Sequence, residues 1–94
     1  MAGYVIGQIE VRDAARWQEY VSQVGATIAA AGGEVLFRGE RQAVFSGPPT
    51  PSRVVAIRFE SVKAAEDWHN SPQYQRLIPL RDAAASVTLV VYEG

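Results

Sequence analysis

Residues 4–33, YVIGQIEVRDAARWQEYVSQVGATIAAAGG, change hydrophobic period at Asp13, and the change separates a strand from a helix. Tyr4 to Val11 is β-rich, with Val5 and Ile9 alternating with Tyr4 and Ile6, and it is bounded by Gly3 and by Arg12-Asp13. Asp13 suits a helix N-cap. Beyond it Trp17, Tyr20, Val21, Val24 and Ile28 recur at spacings of three and four, which places one apolar stripe on a helix. Gly32-Gly33 can end that helix by accepting positive φ.

The same signals extend outward. Glu34 to Ser46 reads as a long second strand with a bulge around Gly39-Glu40, the alternative being a small hairpin. Gly47-Pro48-Pro49-Thr50-Pro51-Ser52 is a loop, because three prolines remove backbone donors and fix φ. Arg53 to Phe59 is a third strand. Ser61 caps a second helix running to about His69, and Ser71-Pro72 restarts it with a Ser N-cap and Pro at the first helical position. Pro79 is expected to end or kink this last helix, and Val87 to Tyr92 forms a fourth strand. The order βαββαβ predicts an α+β, ferredoxin-like fold: a four-stranded antiparallel sheet with helices on one face, in a single domain over residues 1–94.

Composition narrows the function. The formal charge is −1 with both signs spread along the chain, which gives no basic field to recruit nucleic acid. There is no cysteine, so disulfides, thiolate chemistry and zinc–cysteine sites are excluded. No stretch approaches the roughly 20 apolar residues that span a bilayer, and Met1-Ala2-Gly3-Tyr4 runs directly into the first strand. A soluble cytoplasmic protein without metal, haem or flavin is the expectation. Both faces of the strands are apolar, Val55, Ile57 and Phe59 alternating with Val54 and Ala56. Helices can cover one face only. The other exposes an apolar patch that sheet-against-sheet homodimerisation would bury.

Gly32-Gly33, Leu36-Phe37-Arg38-Gly39, Gly47, Arg53-Val54-Val55, Phe59, Trp68, Ser71-Pro72-Gln73-Tyr74-Gln75, Arg81 and Glu93-Gly94 occur in the order seen in the domain of unknown function 1330 family (DUF1330), which the chain resembles over nearly its whole length. The resemblance implies the dimeric α/β-barrel superfamily, which also includes cofactor-independent monooxygenases, haem-degrading enzymes and lactone isomerases. It implies no agreed activity. Two positions depart from the family pattern: Glu40 stands where a second glycine usually follows Arg38-Gly39, and Arg58 where a glutamate is common.

Topology groups a candidate site. With the first and second strands running one way and the third the other, Arg53 starts its strand at the end towards which the second helix runs. His69, Asn70, Ser71, Tyr74 and Arg81 are then expected near Arg53, with Arg38 close by on the second strand. Arg38 and Arg81 can grip a carboxylate through a planar fork, Tyr74 offers a hydroxyl, and His69, the only histidine, can move a proton near neutral pH. Each also has a structural role open to it: His69 and Arg81 as partners of helix-end carbonyls, Arg53 as a solvated loop-edge charge, Tyr74 as packing, Ser71 as an N-cap, and Trp17 and Trp68 as core anchors.

Several chemistries are excluded. Successive helical residues point about 100° apart, so Trp68, His69 and Asn70 cannot face one ligand together. Glu10 and Glu60 end oppositely running strands and form no carboxylate pair. Phe37-Arg38-Gly39 lacks the aromatic pattern that stacks RNA bases. Three functions remain: a homodimer binding a small carboxylated or carbonyl metabolite, a cofactor-independent monooxygenase or isomerase, and an interaction module without a pocket.

Overall fold

The computed structural model describes residues 1–94. Strand β1 (Gly3–Val11) is followed by helix α1 (Ala14–Ala30), strands β2 (Glu34–Glu40) and β3 (Arg53–Phe59), helices α2 (Val62–Asn70), α3 (Pro72–Gln75) and α4 (Ile78–Ala84), and strand β4 (Ala85–Glu93). The four strands form one antiparallel sheet in the order β2-β3-β1-β4. All helices lie on one face, where Val5, Ile9, Val55, Ile57 and Phe59 meet Trp17, Tyr20, Val24, Ile28 and Trp68 in one core.

Local chemistry sets the helix ends. The Asp13 side chain accepts the Arg16 N–H, and the Ser61 hydroxyl accepts that of Ala64. Gly32, at φ 75°, turns the chain out of α1, and the Gly33 N–H returns to the Ile28 carbonyl. Ser71 caps α3 by accepting the Tyr74 N–H, with Pro72 at its start.

Four sequence expectations change. β2 stops at Glu40 instead of reaching Ser46: after the Arg41 N–H bond to the Ser52 carbonyl, the next residue facing it is Pro51, which has no N–H to continue a ladder. Val44 and Phe45 consequently stand in solvent. The irregularity in β2 lies between Val35 and Phe37, not at Gly39-Glu40. Pro79 begins α4 instead of ending a helix, since the first helical turn needs no amide donor there. β4 is longer than Val87–Tyr92 because Ala85 still pairs with Val11 and Glu93 with Gly3.

The bulge at Leu36 controls which side Arg38 takes. Val35 pairs with Ile57, on the helix-covered face, and strict alternation would put Arg38 on the opposite face. The extra residue reverses the phase, so Arg38 pairs with Val55 and shares the helix side. The other face carries Tyr4, Ile6, Val54, Ala56, Phe37, Val90 and Tyr92, and no element covers it. Phe37 and Tyr92 are 55% and 56% exposed.

Gly3 packs against the start of α2, and a Cβ there would lie 2.6 Å from the Ser61 carbonyl oxygen, which belongs to backbone and cannot swing away. Gly3→Ala is expected to destabilise the protein by about 1–3 kcal/mol, the usual range for overpacking. At Gly25, inside α1 with open space where a Cβ would stand, the same substitution should stabilise by about 0.5–1 kcal/mol. Urea unfolding of the two variants checks both signs.

Candidate functional site

Trp68 divides the space between helices and sheet. Its ring is buried against Phe59 and Tyr74, with centroids 5.4 and 4.2 Å apart, and its indole N–H donates to Thr27 Oγ1 at 3.0 Å. A polar ring edge in the core thereby finds its partner. On one side of Trp68 an open groove of about 240 Å³ runs between α2 and β4. On the other, a small cavity of about 20 Å³ lies under α1 and extends to the exposed Arg38 on β2.

Val5, Leu89 and Val91 form the floor of the groove, and Glu66, His69 and Asn70 its polar rim. Trp68, His69 and Asn70 thus border one groove, contrary to the expectation from their 100° spacing, because an open groove along α2 takes in more than one face of the helix. The His69 ring makes no hydrogen bond within the chain, although its backbone carbonyl accepts from Gln75 Nε2 at 2.6 Å. Its centroid is 5.5 Å from that of Tyr74. His69 thus stands over the Val5–Leu89–Val91 part of the sheet, not beside Arg53. Helix length explains this: nine residues of α2 rise about 13 Å, whereas the nine residues of β1 extend about 30 Å, so α2 covers only part of the strand it crosses.

Tyr74 and Arg81 do come together. Arg81 NH1 donates to the Tyr74 hydroxyl at 3.1 Å, and Arg81 Nε donates to Asp82 at 3.0 Å. The Tyr74 hydroxyl is also 2.9 Å from that of Tyr20. Arg12 steadies this corner by donating to Ser86 Oγ and to the Asp82 carbonyl. Arg38, exposed on β2, lines the cavity with Tyr20, and its side chain makes no hydrogen bond or ion pair. Arg53 lines neither the groove nor the cavity. Tyr20 was not among the expected site residues because its spacing placed it on the apolar stripe of α1. The signal for it is a polar tip in a stripe otherwise completed by Val24 and Ile28.

Burial, and next the neighbouring Tyr74, hold the Tyr20 hydroxyl well above the usual phenol range, against weaker opposing pulls from Arg81 and Arg38. For Arg81, burial disfavours the charge, but hydrogen bonds to Tyr74 and Asp82 outweigh it and leave the guanidinium more firmly protonated than a free one. No three His, Asp or Glu side chains gather as a metal-ion site.

Sheet order and the one-sided helix layer define a ferredoxin-like α+β protein. The chain belongs to the DUF1330 family, a domain of unknown function, whose pattern matches residues 2–94. No curated protein matches it. In structure it is similar to a protein of unknown function from Rhodopseudomonas palustris, with 19% identity and a TM-score of 0.82 over 99% of this chain and 82% of that one. A dimeric ferredoxin-like protein of unknown function from Jannaschia sp. CCS1 is similar at 14% identity and TM-score 0.80, with 100% of each chain covered. SnoaB, a cofactor-independent oxygenase from Streptomyces nogalater, is similar at 11% identity and TM-score 0.73, over 99% of this chain and 92% of that one. At these identities the likeness concerns the fold. No helix is long and apolar enough to cross a membrane.

The raised Tyr20 pKa has a stability consequence with a definite sign. Unfolded, Tyr20 ionises near the ordinary value of about 10, while in the folded chain it keeps its proton to higher pH. Its contribution is therefore fully present below about pH 10 and is lost as pH rises beyond it. Tyr20→Phe is expected to show a shallower fall in stability above that pH than the parent chain. Parallel urea titrations between pH 8 and 11.5 measure the difference, and equal slopes would contradict the assignment.

Proposed function

We propose that this chain acts as a homodimer binding a small, largely apolar molecule with a carbonyl or hydroxyl group in the α2–β4 groove. The observation that carries this reading is the groove itself, a concave apolar floor with three polar side chains converging on its rim. A neutral imidazole has one donor and one acceptor nitrogen, and the His69 ring nitrogens make no hydrogen bond within the chain, so they can meet either kind of ligand group. A carbonyl or hydroxyl fits better than a carboxylate here. Glu66 stands on the rim, and neither Arg38 nor Arg81 lines the groove.

Dimerisation is supported by the uncovered apolar face centred on Ile6 and Ala56, which pair across β1 and β3. Packing two such faces together would remove Phe37, Val90 and Tyr92 from water. The Jannaschia sp. CCS1 protein, dimeric with the same fold, supports the same reading. A second reading, a cofactor-independent oxygenase or isomerase, uses the same groove with His69 as the proton carrier. Glu66, one helical turn before it on the same rim, is what favours this.

Sedimentation should give a dimer at micromolar concentration, and Ile6→Glu, which sets a carboxylate at the centre of the interface, should give a monomer. A wild-type monomer under those conditions would remove the dimer from the proposal.

For the groove, a metabolite panel screened by thermal shift and then calorimetry is expected to yield a ligand whose binding Val91→Trp abolishes by filling the floor. His69→Gln should weaken it about two- to tenfold, the value of one neutral hydrogen bond. If the groove also performs proton transfer, that substitution should reduce turnover much more than binding. A ligand indifferent to both changes would place its site elsewhere.

A further inference from the structure

The hydrogen bonds along Arg81, Tyr74 and Tyr20 have a direction. A guanidinium has donors only, so Arg81 donates to the Tyr74 oxygen. Tyr74 must then place its own proton, and its sole remaining polar neighbour is the Tyr20 oxygen at 2.9 Å. Were Tyr20 the donor instead, the Tyr74 proton would lack an acceptor in a residue that is 0% exposed. Tyr74 therefore donates to Tyr20, and the Tyr20 proton is directed onward. Each bond in such a row polarises the next, which strengthens the last donor.

Beyond Tyr20 is the small cavity. Tyr20 and Arg38 both line it, the rest of its lining is apolar, and no carboxylate takes part. Arg38 carries a full charge with no ion-pair partner, whereas the charge of Arg81 is matched by Asp82. Two donors facing an apolar space suit an electron-rich oxygen and repel cations. At about 20 Å³ the cavity admits one oxygen-sized group, which leaves the body of a ligand at the exposed β2 edge.

We propose that the Tyr20 hydroxyl and the Arg38 guanidinium form a second binding site, at the mouth between α1 and β2, for a carboxylate oxygen of a small organic acid. Trp68 separates it from the α2–β4 groove, and it stands whether or not that groove binds a ligand. The Leu36 bulge makes the site, because it brings Arg38 to the side of the sheet on which Tyr20 lies. Tyr20 remains protonated throughout the neutral range and acts there as a donor.

Formate is the probe, being the smallest carboxylate. Protein labelled with carbon-13 at the tyrosine ζ positions is titrated with sodium formate and, separately, with sodium chloride at equal ionic strength. The Tyr20 resonance is identified by its loss in Tyr20→Phe. Should that variant not fold, its contact with the Trp17 ring, 5.0 Å away between centroids, identifies the resonance instead. A saturable shift of the Tyr20 resonance with formate is expected, absent with chloride. Arg38→Met, at an exposed position, should weaken the formate affinity at least tenfold, while His69→Gln should leave it unchanged. An unmoved Tyr20 resonance, an equal response to chloride, or a formate affinity untouched by Arg38→Met would each overturn the proposal. Equal weakening by His69→Gln would assign the effect to the groove and overturn it as well.

Discussion

Burial of the Trp68 indole, with its N–H satisfied by Thr27, is the contact on which the arrangement of helices depends. A ring of this size fills the space between Phe59 on the sheet and Tyr74 on α3. The single polar edge has to find an acceptor inside the core, and Thr27 supplies one from α1. One side chain thus ties α1, α2, α3 and the sheet together. Because it occupies the middle of the layer, the remaining space is divided, leaving an open groove at the β4 edge and a small cavity beneath α1.

The short helices after Trp68 exist for a related reason. A nine-residue α2 cannot cover the strand it crosses, so the chain completes the distance with the single turn of α3 and with α4. Ser71 with Pro72, and then Pro79, start these pieces where a missing amide donor costs nothing. The same two helices bring Tyr74 and Arg81 to Tyr20, producing a buried polar row in which the Tyr20 proton alone is directed onward. No buried side-chain nitrogen or oxygen is left without a partner. This row stiffens the corner between α1 and α4, and Arg12 secures the same corner to the start of β4.

At the opposite edge of the sheet, the chain from Arg41 to Ser52 is held lightly. Its β-rich start, including Val44 and Phe45, has strand character in composition, yet Pro51 denies it a partner strand. Glu10 accepts hydrogen bonds from the Ser52 N–H and hydroxyl, which fixes the entry to β3. The register of β3 against β1 therefore begins from a defined point even though the preceding loop is exposed.

What the sequence determined by itself was local. The period of two in β1 and the period near 3.6 in α1 follow from where Val5, Ile9, Trp17, Val24 and Ile28 fall along the chain, and the caps at Asp13, Ser61 and Ser71 act within three residues. The element order and the apolar second face of the sheet were legible for the same reason. Only the tertiary structure decided how the candidate residues divide. Arg38 depends on a one-residue bulge at Leu36 that alternation does not announce, and His69 on the mismatch in rise between helix and strand. Tyr20 carries a hydroxyl in what reads as plain apolar periodicity, and its role arises only when residues 54 positions apart bring their oxygens to 2.9 Å. Periodicity reports which face a side chain takes; distance between elements far apart in the chain is set by packing, and the division of the site depends on that distance.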